Sequence, residues 1–345
     1  MRALTLAAAG GLEHLEVQEL PQPALQSPHD VLVRVQAAAL NRLDLLVVNG
    51  LPGVDYAFPH VLGSDGAGVV QEVGKAVGTV HPGDRVMINP TLSCGECPAC
   101  LEGEESLCRR LRVIGEHAAG TAAEYIVVPA ENLAPVPPDM PWHQAAAFSL
   151  ATLTAWRMLR TRARVQAGET VLIWGIGGGV ALAALQICRL VGARTIVTSG
   201  EDAKLATAQT LGAEVVLNHR RSDVADEVRR HTSGRGADVV VESVGEQTWQ
   251  ASLRALRRGG RLVVCGATTG PTVSLDLRRL FWHQWSILGS TLGSRREYAE
   301  IVDLAAQGKL WPVVDRTVPL GEALAAFERL RRGEQVGKLV IEVAQ

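Results

Sequence analysis

Aromatic side chains make up only 4% of this 345-residue chain, and neither sign of charge dominates. The 34 Lys and Arg stand against 36 Asp and Glu, a formal net charge of −2. With no basic face or tail, nothing in the composition draws the chain to nucleic acid or to an anionic membrane surface. Repeats and low-complexity stretches are missing as well, so neither a solenoid nor a disordered reading applies. One long apolar run exists, 171-VLIWGIGGGVALAALQIC-188, with no charged residue and a length that would span a bilayer. Four glycines in five positions make it a poor membrane helix, whereas a buried strand, a glycine turn and a buried helix account for the same letters. The opening MRALTLAAAG has the basic residue and short apolar stretch of a signal peptide, yet it passes straight into LEHLEVQEL, which alternates like a strand. Residues 1–20 are therefore expected to form two strands of a β domain in a cytoplasmic protein.

What is present is Ala, Val, Leu and Gly in quantity, with apolar residues at 47%, the composition of a compact α/β protein long enough for two domains. Up to about residue 150, short β-rich runs (31-VLVRVQAAAL, 68-GVVQEVG, 84-DRVMIN, 124-EYIVVP) alternate with Gly/Pro turns, which predicts a largely antiparallel β domain. From about 151 the pattern changes to apolar strands alternating with helices near 180–192, 202–212, 222–231 and 246–258. That alternation predicts βαβ units and a parallel sheet with helices on both faces. A strand at 286-SILGS, a helix over 296–307 and a final GKLVIEV strand complete the chain, and their letters alone assign them to neither domain.

The strand, glycine cluster and helix of 171–188, with a second strand at 194–199, supply the context a dinucleotide fingerprint requires. Glycines let the backbone approach a pyrophosphate, and the positive end of the helix stabilises its charge. Gly175-x-Gly177, and Gly178 with Ala181 in the third place, both fit the pattern, with Gly179 and Val180 between them. An NAD site usually carries an acid at the end of the second strand, about 20 residues on. Here that position is Ser199, followed by Gly200, with Lys204 near; these would accept a 2′-phosphate, and NADP(H) is favoured over NAD(H). Glu201 and Asp202 would argue the other way if they pointed inward.

Four of the six cysteines, Cys94, Cys97, Cys100 and Cys108, fall in 89-NPTLSCGECPACLEGEESLCRR-110. Four thiolates close a tetrahedral shell around zinc and leave no vacancy for water or substrate, so one structural zinc per subunit is expected. Disulfides do not suit a cytoplasmic chain, and the acidic Glu96, Glu102, Glu104 and Glu105 do not suit a nucleic-acid module. Cys188 and Cys265 read as ordinary core residues.

With the β domain, the four-Cys lobe, the AEY of 123–125, the 175-GIGGGVA-181 turn and the closing 337-GKLVIEV-343, the chain resembles the medium-chain dehydrogenase/reductase superfamily from end to end. That group holds the zinc alcohol dehydrogenases and their quinone-reductase relatives. The resemblance implies a GroES-like catalytic domain over 1–150, with the zinc lobe at about 90–110, completed by about 285–345. It also implies a Rossmann cofactor domain over 151–284, an active site in the cleft between domains, and a homodimer or homotetramer. It places Thr154 near the nicotinamide and Gly266 against the cofactor. Zinc alcohol dehydrogenases carry a ligand cysteine where this chain has Asn41 of 41-NRLD-44, and a ligand histidine where it has Ser64 of 63-GSDGAG-68; the position of their third ligand is Leu150. The Asn-x-x-Asp pattern looks instead like the zinc-free quinone-reductase branch. His60, Asp65 and His117 are the residues from which a metal site would have to be rebuilt.

Without a Lewis acid, a developing oxyanion needs hydrogen-bond donors. Asn41 and Ser64 are the candidates, with Asp44 beside them and Asp65 or a water as proton source. Hydride transfer without metal suits an acceptor that already delocalises charge, a quinone or an α,β-unsaturated carbonyl. The alternatives are an alcohol dehydrogenase or aldehyde reductase with a rebuilt or absent catalytic metal, and a nucleotide-binding redox sensor or structural protein with little turnover. In each reading the partner is a small molecule, and neither nucleic acid nor membrane is involved.

Overall fold

The computed structural model describes residues 1–344, in two compact units: Met1–Ala151 with the segment from Gly293 onward, and Thr152–Leu292. At the centre of the first unit is the strand Asp30–Ala39, DVLVRVQAAA, whose Val31, Val33 and Val35 are fully buried. It pairs antiparallel with Asp65–Val73, Tyr125–Pro129 and Lys338–Glu342. The first strands behave as their alternation predicts, Arg2–Leu6 pairing antiparallel with Leu15–Glu19. Val33, Ile126, Leu339 and Ile341 form one core with Phe327 of the helix Ala323–Arg332.

This topology positions three distant residues. Ala39 pairs with Asp65 on one side and with Val340 on the other. Both antiparallel neighbours therefore begin where the central strand ends, and Leu40 N donates to Leu339 O at 2.9 Å as the chain leaves the sheet. Asn41, Asp65 and Lys338 meet at this corner.

The second unit holds a six-stranded, all-parallel sheet. Its order is Val215–Asn218, Arg194–Ser199, Thr170–Ile173, Ala237–Glu242, Leu256–Val264 and Ser286–Gly289, the doubly wound arrangement. Every residue of Ala237–Glu242 is buried, as strands covered on both faces must be.

Two expectations change. The helix expected over 246–258 ends at Ala255, because Leu256 turns into extended backbone and pairs with Ala237. Tertiary burial overrides the helix-compatible letters that follow. The strand Ser286–Gly289, expected from about 285 onward to complete the β domain, pairs in parallel with Arg261–Val264 and lies in the second unit. The helices Arg42–Asn49 and Trp142–Trp156 were not signalled by the pattern of β-rich runs. No helix among the described residues is long and apolar enough to cross a membrane.

Candidate functional site

The corner of the first sheet carries a buried charge cluster. Lys338 is 4% exposed and Asp65 fully buried, and the ammonium lies 2.8 Å from Asp65 Oδ2. Asn41 Nδ2 donates to the same carboxylate oxygen at 3.0 Å, while its Oδ1 accepts from Lys338. Asp65 Oδ1 takes the backbone N–H of Leu150 at 2.7 Å. Such a pair is retained only when its hydrogen bonds are complete, and deleting one partner costs about 3–5 kcal/mol.

Asn41 is the residue preceding the helix Arg42–Asn49, and with Asp44 it makes a capping box. The buried Asp44 carboxylate accepts from Asn41 N at 2.7 Å and from Gly63 N at 3.1 Å. The Gly63 backbone is left-handed (φ 96°), and a Cβ there would lie 2.7 Å from Thr121 Oγ1, so glycine is required beside the cluster.

The structure revises several sequence expectations. Asp65 accepts from two N–H groups and an ammonium, which makes it a fixed acceptor rather than a proton source. Ser64 has no exposed surface, and its hydroxyl, expected to face substrate, is an orphan without a hydrogen-bond partner. Of the four residues expected at the reacting centre, Asn41 at 8% exposure is the one that reaches the surface of its unit. His60 bonds Gly115 O at 3.0 Å and His117 accepts from Val113 N at 3.3 Å. Neither joins Asp65 in a ligand set: among the described residues the one convergent group of three or more His, Cys, Asp or Glu is the four cysteines. Lys338 was missed by sequence reasoning, its only signal a cation at the head of an apolar strand.

The four Sγ atoms of Cys94, Cys97, Cys100 and Cys108 lie within 4.8 Å of one another. The separations Cys97–Cys100 and Cys94–Cys108 are 3.5 Å, and Cys94–Cys100 is 3.8 Å. A Zn–S bond of about 2.3 Å in a tetrahedron demands sulfurs about 3.8 Å apart, so the donor set fits zinc. The Glu96 backbone N–H, followed by the Arg110 guanidinium, pulls the Cys94 thiol down to about 5, toward the thiolate a metal needs. The lobe is tied to the start of the helix Arg295–Ala306: Glu105 accepts from Arg295 N at 3.2 Å, and Arg295 reaches Ser93 Oγ at 3.0 Å.

In the second unit the strand Thr170–Ile173 runs into Gly175, left-handed at φ 67°, and Gly178 precedes the helix Gly179–Val191. No side chain caps this helix, so the first-turn amides of Gly179, Val180 and Ala181 have no side-chain acceptor, the arrangement that receives a pyrophosphate. Gly177 lies inside the turn and is buried. At the end of the next strand, Ser199 Oγ accepts from Glu201 N at 3.1 Å. The Glu201 carboxylate faces Lys204 at 2.9 Å, while Asp202 pairs with Arg221 and Asn218, so both acids have cationic or amide partners of their own. A Cβ on Gly200 would meet Arg220 Nε at 2.7 Å and His219 Nε2 at 3.1 Å. These two were also missed; the parallel register Ser199↔Asn218 brings them here. Among the described residues no carboxylate pairs with Arg220. Thr154 is buried in the helix Trp142–Trp156, and a Cβ on Gly266 would touch Ser243 O at 3.0 Å.

A parallel sheet of this order with an uncapped glycine turn, in one chain with a β unit bearing a four-Cys lobe, defines a nicotinamide-dependent oxidoreductase. Comparison with known proteins agrees. The alcohol dehydrogenase GroES-like domain matches residues 27–138, and the zinc-binding dehydrogenase family matches 179–307. A solved NAD-dependent alcohol dehydrogenase is 44% identical, covers 100% of both chains and superimposes with a TM-score of 0.95. The acryloyl-coenzyme A reductase of Metallosphaera sedula is 33% identical over 96% of this chain and 96% of its own length. The quinone oxidoreductase of Mus musculus is 31% identical over 99% and 97%. The chain belongs to the medium-chain dehydrogenase/reductase superfamily of zinc alcohol dehydrogenase-like, NAD(P)-dependent oxidoreductases.

Proposed function

We propose that this enzyme reduces quinones or α,β-unsaturated carbonyl compounds with NADPH, without a metal at the reacting centre. The observation that carries the reading is the Lys338–Asp65–Asn41 cluster, where an ammonium, an amide and a carboxylate satisfy one another. Zinc alcohol dehydrogenases carry ligands at positions where this chain has Asn41, Ser64 and Leu150, and an amide, a hydroxyl and an aliphatic side chain are a poor donor set for zinc. An acceptor whose carbonyl is conjugated spreads the incoming charge onto its oxygen, and one good N–H donor then suffices. That two relatives are named acryloyl-coenzyme A reductase and quinone oxidoreductase supports this class of acceptor.

When bound, the nicotinamide supplies the hydride. The uncapped amides of Gly179–Ala181 would hold its pyrophosphate, and Ser199, Lys204 and Arg220 around the bare Gly200 backbone suit a 2′-phosphate. Cys94, Cys97, Cys100 and Cys108 would hold one structural zinc per subunit. No disulfide joins any of the six cysteines, which suits the reducing cytoplasmic location that is part of this reading. A homodimer or homotetramer is part of the reading.

Steady-state assays of NADPH and NADH against quinones, enones, enoyl thioesters and alcohols test it. The expected result is enone or quinone turnover with NADPH, unaffected by chelator over the assay. Arg220→Ala is expected to raise the KM for NADPH about tenfold or more and to leave that for NADH nearly unchanged. Alcohol oxidation abolished by chelator and restored by zinc would overturn the acceptor class. Tight NADPH binding without turnover of any substrate would make the chain a nucleotide-binding protein.

A further inference from the structure

We infer that Lys338 is a positioning residue that locks the Asn41 amide with one N–H outward and delivers part of its positive charge through that amide. The inference rests on the reading of Asn41 as the donor to a substrate oxygen. An amide has two ends of similar shape but opposite hydrogen-bonding character. Here the partners leave no choice: an ammonium only donates and a carboxylate only accepts. Lys338 therefore takes the Asn41 oxygen and Asp65 takes an N–H. The capping box adds a further constraint, since the Asn41 side chain also faces the Asp44 backbone N–H, another group that can only donate.

One N–H of the amide is spent on Asp65, and no acceptor among the described residues claims the other. Lys338 and Asp65 are buried more deeply than Asn41, which keeps 8% of its surface, so the amide N–H that Asp65 does not take is the hydrogen of the cluster assigned to a substrate oxygen. A cation on the carbonyl end polarises the amide and strengthens its opposite N–H as a donor, the cooperative effect of hydrogen-bond chains at low dielectric. The ammonium thus does from behind the amide part of what a Lewis acid would do by contact.

Two readouts separate the lock from the substrate assignment. The first is the pair of Asn41 side-chain NH2 resonances in protein carrying 15N-asparagine, assigned by their loss in Asn41→Ala. The lock predicts two resolved, slowly exchanging protons in the native enzyme, and collapse or exchange broadening in Lys338→Met. If Lys338→Met does not fold, Asp65→Asn removes the other jaw of the clamp and predicts the same change. An Asn41 amide that is indifferent to both substitutions overturns the proposal, whatever the activity. The second readout is a double-mutant cycle on enone or quinone reduction. Lys338→Met is expected to lower kcat about tenfold or more with the KM for NADPH unchanged, and Lys338→Arg to restore much of it. In an Asn41→Ala background the same change is expected to cost no more than about twofold, because the group it acts through is gone. Independent, multiplying losses would overturn the proposal. Collapse of the amide signals in an enzyme that turns over no enone or quinone would uphold the lock and sink the acceptor reading instead.

Discussion

Asp44 illustrates what the buried corner costs a single side chain. Burial raises its carboxyl to about 6, against the pull of the Asn41 N–H, the Lys338 ammonium and the Gly63 N–H, while the nearby Asp65 adds to the rise. A carboxyl whose folded pKa lies above its unfolded value binds its proton more tightly when folded, so its contribution to stability is fully present below the unfolded value and is lost as pH rises through about 6. The window runs from the ordinary aspartate value of 3.8 to about 6, and its integral is on the order of 1–3 kcal/mol. Asp44→Asn removes this titration. The difference in urea midpoint between variant and native enzyme is expected to change between pH 4 and about 7 and to level off above it. A difference that stays constant across that range would mean that Asp44 does not titrate in the folded protein near 6. The neutral variant also gives up one of two backbone acceptors, which lowers the midpoint at every pH and is read as the pH-independent part.

At the scale of elements, the cysteine lobe and the buried corner depend on different kinds of information. The four cysteines of the lobe lie within fifteen consecutive residues, so their spacing alone pointed to a convergent four-sulfur cluster, and the four Sγ atoms do converge. The parallel sheet was legible for a similar reason: strands covered on both faces read as unbroken apolar runs between turns, as in Ala237–Glu242. Asn41 and Ser64 drew notice through resemblance, and what surrounds them was not legible. Lys338 stands 273 residues from Asp65 and 297 from Asn41, and only the pairing of three strands brings them together. Arg220 was hidden in the same way, brought beside Gly200 by strand register. The lobe, being local, should also fail locally. Native protein is expected to contain about one zinc per chain, and Cys100→Ser almost none, because a three-thiolate site is open and weak. Cleavage at the exposed Leu101 or Leu107 by a protease of matching specificity is then expected to accelerate about tenfold or more, with the parallel sheet still protected from hydrogen exchange. A full complement of zinc in Cys100→Ser would show that the metal is bound elsewhere.

On the scale of the whole molecule, one edge of the parallel sheet is left open in a way that a single chain does not explain. The strand Ser286–Gly289 is the last in its sheet, with Ile287 and Leu288 only partly buried. Just before it the helix Leu277–His283 exposes Leu277, Phe281 and Trp282, each at 66%. An apolar edge of this kind invites strand addition, and natural proteins rarely leave it bare. A second copy is the occupant that suits it, since two identical edges meeting about a twofold axis close on themselves and pair every open backbone group. Arg258 and Arg279 do not oppose such contact: they lie over the Trp282 and Trp285 rings at 5.5 Å each, spreading their charge across aromatic faces. Light scattering after size exclusion is therefore expected to give a mass of at least twice 36.8 kDa. The double change Phe281→Ser with Trp282→Ser touches residues that are mostly solvent-exposed and is expected to shift the population toward monomer with little loss of subunit stability. An unchanged mass in that variant would locate the subunit contact on another face. A monomeric native enzyme would leave the open edge without a partner and remove the oligomer from the proposed function.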